Sequence, residues 1–200
     1  LSDGQKSMLY LSLVLSSIKL NRDVISGEEK AFVIDKLNPP VFSLILIEEP
    51  ENSLSPHYLG RISNVLKKLL GNDTQALIAT HAPSILRRVA PEKIRYLRLN
   101  SESRTTQVKT ITLPQKSGDA HKFVREAVQA FPEIYFARLV VLGEGDSEEI
   151  VLPKLFEALE LPVDESAICI TPLGGRHVNH FWRLLSTLEI PYITLLDLDV

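Results

Sequence analysis

Two hundred residues suffice for one or two domains, and a hydrophobic content of 44% is that of a chain which buries a real core. No apolar run approaches the roughly 18 residues of a membrane span, so no membrane partner is expected. No basic-then-apolar leader opens the chain, and nothing suggests secretion. Cys169 is alone, which excludes an internal disulfide and a Cys-based zinc cluster and makes a reducing cytoplasm the expected compartment. The net charge of −3 by itself argues against nucleic acid, but it is unevenly spread. Residues 87–125 carry 10 Lys/Arg against 3 Asp/Glu, and residues 126–200 carry 4 against 13. A basic middle can follow phosphates, although a solvated charged surface accounts for it equally well.

In chain order, apolar spacing predicts a helix over Gly4–Leu20, with Ser2 or Asp3 as N-cap. Asn21–Pro40 is mixed and ends in Asn38-Pro39-Pro40, which reads as a loop with one short element. Ser43–Ile47 is a continuous apolar strand of the kind buried on both faces of a parallel sheet. Pro56–Leu70 is amphipathic, with Leu59, Ile62, Val65, Leu66 and Leu69 on one face, and Gly71-Asn72-Asp73 stops it. Gln75–Ala79 is the next strand, a short helix follows Pro83, and Ile94–Leu99 and Val108–Leu113 form two more strands across a polar turn. A second unit begins near Lys116–Asp119. It runs helix Ala120–Ala130, strand Arg138–Leu142, helix Ser147–Leu159, strand Ala167–Thr171, helix Val178–Leu188 and strand Tyr192–Leu196. Strands alternating with helices imply parallel βαβ units, an α/β fold. The expected domains are 1–116 and 117–200.

The first group of chemistry-bearing residues is Ser2-Asp3-Gly4-Gln5 at a helix start. A hydroxyl, free backbone N–H groups and the positive end of the helix dipole together suit a phosphate, although a plain capped helix is the commoner explanation of so short a string. Glu48-Glu49-Pro50-Glu51 follows the apolar strand, at the edge where open α/β sheets place their ligands. One carboxylate there can hold Mg²⁺ and its neighbour can orient the water that attacks a γ-phosphate. His81 ends the following strand, where it can hydrogen-bond that phosphate; a lone His is more often structural.

This order resembles the ABC-ATPase superfamily, and more narrowly its SMC/RecF/OLD branch, over residues 1 to about 90. Leu1–Gln5 is similar to the signature motif and Ile45–Glu51 to the Walker B region. The resemblance implies Glu48 at the metal position, Glu49 at the catalytic position and His81 as the switch histidine. Most ABC proteins carry Asp where this chain has Glu48, and Ser55 departs from the Asp or His commoner at the D-loop. The phosphate loop is missing from this sequence and, by the resemblance, is expected upstream of Leu1, so the sequence reads as a fragment. The resemblance further implies that Ser2, Gly4 and Gln5 complete the ATP site of the opposite subunit, hence a homodimer through the ATPase heads.

The second group begins at Glu144, set between Gly143 and Gly145 at a strand end, with Glu148 four residues on in the first turn of a helix. Asp197 and Asp199 follow the last strand. In an extended strand, residues i and i+2 face the same way, roughly 6.5 Å apart. Carboxylates at this density repel, and a hard divalent cation relieves that. Two-metal phosphodiester chemistry needs such a cluster, with ions about 3.5–4 Å apart. A solvated acidic strand end explains Asp-x-Asp alone; paired with Gly-Glu-Gly on a preceding strand, the metal site is favoured. His177 and His180 read as polar residues at a helix start, and Phe181 and Trp182 as core.

Residues Arg138–Val200 resemble the Toprim domain. The resemblance implies a Rossmann-like parallel sheet, Glu144, Asp197 and Asp199 as metal ligands, Glu148 as an additional acid, and Thr171–Gly175 as the glycine turn after the second strand. An ABC-type half-domain running into Toprim resembles the OLD family. That implies an ATP-regulated DNA endonuclease using Mg²⁺ or Mn²⁺, tied to phage defence or DNA repair, with Glu49, His81 and Glu144 catalytic and an unidentified defence partner protein. The fragment by itself is expected to be incomplete for both activities. The rival reading is an SMC/RecF-like DNA-clamping ATPase with a non-nucleolytic Toprim scaffold.

Overall fold

A computed structural model describes residues 2–33, 36, 39–52, 54–100, 102–113, 125–126, 129–174 and 178–197. The chain forms two compact units, Leu1–Ile85 and Leu86–Val200.

In the first unit, helix α1 spans Asp3–Ser26. It runs six residues past the expected end at Leu20. Two contacts carry it on: Val24 is buried, and Arg22 grips both oxygens of Asp73, the Leu69 carbonyl and the Thr74 hydroxyl. Gly27 then ends it in the left-handed conformation (φ 78°) that glycine adopts without steric cost. Strand β1 (Ser43–Glu48), helix α2 (Pro56–Leu69) and strand β2 (Thr74–Ala79) form a βαβ unit with the strands parallel, from Ser43 opposite Thr74 to Glu48 opposite Ala79. Pro56 suits the first turn of α2, where its missing N–H has no partner to lose. Leu59, Ile62, Leu66 and Leu69 recur at helical spacing and are buried. Ile45 and three of these join Leu15 of α1 in one core.

Strand β1 is not buried on both faces as its apolar run predicts. Leu44, Leu46 and, on β2, Leu77 are 56%, 67% and 60% exposed. The apolar run therefore reports two hydrophobic faces, of which only the Ile45 face is covered within this unit.

In the second unit, a short helix α3 (Pro83–Leu86, straddling the division) and a 3-10 turn at Pro91–Lys93 precede strands β3 (Arg95–Asn100) and β4 (Thr105–Thr110). These pair antiparallel, and the Asn100 side chain accepts the N–H groups of Glu102 and Ser103 to shape the turn. The second sheet is parallel, in the order β6-β5-β7, with β5 Leu139–Gly143, β6 Ile168–Pro172 and β7 Tyr192–Thr194. Helix α4 (Asp146–Ala158) links β5 to β6, and α5 (Val178–Leu188) links β6 to β7.

Val140 and Leu142, buried completely, pack with Phe181, Leu184, Leu185 and Leu188 of α5 and with Ile94 and Ile111 at the foot of the hairpin. That packing assigns the hairpin to the second unit, so the compact units part at Ile85/Leu86, whereas the sequence put its domain boundary at 116/117. Most of the helix expected over Ala120–Ala130 lies outside the described residues. No helix among those described is long and apolar enough to cross a membrane.

Candidate functional site

Each parallel sheet ends in acidic residues. In the first unit the β1–β2 ladder closes with the Glu49 N–H donating to the Ala79 carbonyl (2.8 Å). Glu49 itself has φ 43°, in the left-handed region that a side chain makes costly, so the chain turns sharply there. Its Oε2 accepts from the Asn52 amide at 2.7 Å. Its Oε1 lies 3.5 Å from His81 Nδ1, and Glu51 Oε1 lies 3.4 Å from the same nitrogen.

Glu51 is the most enclosed of these acids. Its Oε1 accepts the His81 N–H at 2.9 Å, and the Thr80 hydroxyl reaches both its oxygens at 2.9 and 2.8 Å. Burial pushes the Glu51 carboxyl up. The N–H groups of Glu51 and His81, the Thr80 hydroxyl and the His81 ring outweigh that and hold it below the ordinary carboxylate value. Glu48 is exposed at the end of β1.

The expected N-terminal motif forms a capping box. Ser2 Oγ accepts the Gln5 N–H at 3.3 Å, and the Gln5 side chain accepts the Ser2 N–H at 3.0 Å. Gly4 sits in the same first turn. A Ser hydroxyl used this way as an acceptor keeps its own proton for a further partner.

In the second unit, β5 and β7 are adjacent parallel strands, which brings Glu144 and Asp197 together. Past the last register pair, Leu142 opposite Thr194, the Leu195 N–H donates to the Leu142 carbonyl at 2.8 Å. The next N–H of that ladder, Asp197's, is taken by the Glu144 carboxylate at 2.7 Å rather than by a main-chain carbonyl. Strand β7 ends at Thr194, short of the expected Leu196, so Asp197 lies beyond the regular strand and the i, i+2 facing rule does not extend to it. Asp199 lies outside the described residues.

Glu148 does turn back towards Gly143–Gly145, for a local reason. Its Oε2 accepts the Gly145 N–H at 2.9 Å and the Ser147 hydroxyl at 3.2 Å, capping its own helix. The Gly145 N–H foremost, then its own, hold its carboxyl below the ordinary value. Glycine at 143 has a steric cause: a Cβ there would meet Glu148 Cβ at 2.7 Å. Among the described residues no three His, Cys, Asp or Glu side chains group closely enough to hold a metal ion. The donors present at the Glu144–Asp197 junction are hard carboxylate oxygens, the type suited to Mg²⁺ or Mn²⁺.

Of the other expected residues, Gly174 turns the chain after β6 with φ 61°, while Gly175 and His177 lie outside the described residues. Phe181 is core, as expected. Trp182 is 36% exposed and donates its indole N–H to Thr194 at 2.8 Å, so its role is not purely packing. Sequence reasoning gave no role to Asn52, Glu51 or Thr80. The only signals were the third acid of the Glu-Glu-Pro-Glu string and a hydroxyl next to His81.

Residues 135–199 match the family described as overcoming lysogenization defect protein-like, TOPRIM domain. Residues 1–87 match an AAA domain family whose description also refers to AbiEii and type IV toxin–antitoxin systems. Over 160 residues the chain is 29% identical to Endonuclease GajA of Bacillus cereus (strain VD045), covering 78% of this chain and 26% of that protein. Over 165 residues it is 27% identical to the OLD nuclease of Thermus scotoductus, covering 78% of this chain and 31% of that protein. The chain thus spans about a quarter to a third of the length of these relatives.

Proposed function

We propose that this chain, which joins a segment matching an AAA domain family to one matching an OLD-like Toprim domain, forms part of an OLD-type, ATP-regulated, divalent-metal-dependent DNA endonuclease. The observation that carries the reading is the Glu144–Asp197 contact at 2.7 Å, made by adjacent parallel strand ends inside the Toprim-matching segment. Glu144, Glu148, Asp197 and Asp199 would hold Mg²⁺ or Mn²⁺. When bound, the cations supply a water activated for in-line attack on a DNA phosphodiester and neutralise charge on the departing oxygen.

The chain's own residues prepare that site. One oxygen of Glu144 fixes the Asp197 backbone, which leaves the other for a ligand. The Gly145 N–H, donated to Glu148 Oε2, favours the ionised form of that carboxyl.

In the ATPase segment, Glu48 takes the nucleotide's Mg²⁺, Glu49 orients the attacking water and His81 contacts the γ-phosphate. Ser2, Gly4 and Gln5 meet the nucleotide held by the opposite subunit, so the working form is a homodimer. On the same family resemblance the protein acts in the cytoplasm, in phage defence or DNA repair.

The test is nicking of supercoiled plasmid by the intact protein with Mg²⁺ and then Mn²⁺. The parent should nick, and Glu144→Gln should lose nicking by orders of magnitude while Glu149→Gln, altering an exposed neighbour, retains it. No nicking by the parent with either metal, together with intact ATP turnover, moves the protein to the non-nucleolytic clamp.

A further inference from the structure

We propose that Glu51 is a positioning residue for ATP hydrolysis, which locks His81 beside Glu49. The proposal rests on the ATPase reading above. The main-chain ladder between β1 and β2 stops at the bond from Glu49 N–H to the Ala79 carbonyl. Beyond it, among the described residues, the two turns that carry Glu49 and His81 share no backbone pairing. The Glu51 carboxylate takes over as the link. Its Oε1 receives the His81 N–H, both its oxygens receive the Thr80 hydroxyl, and Thr80 Oγ1 in turn accepts the Ala82 N–H at 3.0 Å. Three consecutive residues of the β2 turn are thereby tied to one side chain from the β1 turn.

Exposure separates the roles of the two acids. The Glu51 side chain is 13% exposed and both its oxygens are engaged, so it is poorly placed to touch a nucleotide or its water. The Glu49 side chain is 45% exposed, tethered on one oxygen by Asn52, with the other towards His81 Nδ1. His81 is 64% exposed, so packing alone does not fix the ring; its backbone N–H is held by Glu51, and the two carboxylates lie 3.4 and 3.5 Å from Nδ1.

Substitution by Gln breaks this selectively. One amide oxygen can still accept, but the new NH₂ confronts donors at Thr80 and His81, and the charge facing Nδ1 disappears. A displacement of about 1 Å at a group that meets the reacting phosphate is enough to cost ~100-fold in rate.

The test is steady-state ATP hydrolysis by the intact protein carrying Glu49→Gln, Glu51→Gln, Thr80→Val, His81→Ala and the double variant Glu51→Gln/His81→Ala, each with a thermal melt. We expect Glu51→Gln to lower kcat by ~10–100-fold with KM for ATP within about twofold. In the His81→Ala background the same change should do nothing more, because both act through one group. Thr80→Val should move kcat the same way by a smaller factor, and it carries the test if Glu51→Gln does not fold. Equal fold losses with and without His81, or an unchanged kcat, overturn the positioning role and make Glu51 a structural acid. Parental turnover by Glu49→Gln overturns the ATPase reading itself and the proposal with it; a slow Glu49→Gln with additive Glu51 and His81 effects overturns the proposal alone.

Discussion

The two acidic strand ends are built by different means. At the end of β1, most links are between side chains, Asn52 on Glu49, Thr80 on Glu51 and the His81 ring beside the two acids, with the His81 main-chain N–H on Glu51 as the exception. At the ends of β5 and β7, main-chain N–H groups hold the carboxylates: Asp197's on Glu144 and Gly145's on Glu148. A side-chain network can rearrange when a rotamer changes, whereas a carboxylate seated on backbone N–H groups moves only if the strand or helix end moves. The first arrangement suits a site that responds to a nucleotide, and the second suits a site whose geometry must already be set.

The largest effect expected from attacking the backbone-held site comes from Gly143→Ala. The new Cβ would meet Glu148 Cβ and Cγ at 2.7 and 3.0 Å, atoms near the helix main chain that cannot swing aside. Overpacking of this kind costs about 1–3 kcal/mol, read as a lower thermal midpoint. Nicking by the intact protein should fall with it, by ~100-fold. A Gly143→Ala protein with the parent's melt and nicking would show that Glu148 is not pinned by this contact.

A smaller effect is expected from acid on the side-chain network. The Glu51 carboxyl in the folded chain lies below the unfolded value of 4.5. Its contribution to stability is therefore complete above that value and fades as pH falls through the lower, folded value. Melts from pH 6 down to 3 should decline less steeply for Glu51→Gln than for the parent. Parallel declines would show that the charge on Glu51 contributes nothing to the fold.

The smallest effect is expected away from both sites. The Tyr135 hydroxyl is buried, has no hydrogen-bond partner among the described residues, and its acidity is suppressed far beyond the usual tyrosine range by burial. Tyr135→Phe should leave the melt unchanged or raise stability by ~1 kcal/mol, since it removes an unpaired polar group. A loss of stability would reveal a partner for that hydroxyl.

What could be read in the sequence follows from how local its cause is. The βαβ order and the burial of Leu59, Ile62, Leu66 and Leu69 were legible, because apolar spacing of 3.6 residues reports burial directly, although Val65, placed on the same face, is 43% exposed. Glu144 and Asp197 were legible as strand-end acids, but their meeting depends on β5 and β7 being neighbours, an order the sequence reading did not supply.

The run of α1 to Ser26 was not legible, because Arg22 is anchored by Asp73, 51 residues away. Glu51's contacts were hidden for the same reason: its partners Thr80 and His81 lie 29 and 30 residues on, and a hydrogen bond between loops leaves no period in the sequence. The exposed face of β1 was misread because a continuous apolar run specifies two hydrophobic faces without saying what covers each.

The central claim is that the two strand ends serve separate reactions in one protein. The most direct measurement is a paired assay of the intact protein, reading ATP turnover and plasmid nicking on the same preparations of Glu49→Gln and Asp197→Asn. The account predicts that Asp197→Asn loses nicking by orders of magnitude with ATP turnover near the parent's, while Glu49→Gln loses ATP turnover and still binds ATP. Full nicking by Asp197→Asn with both Mg²⁺ and Mn²⁺, or parental ATP turnover by Glu49→Gln, would contradict it.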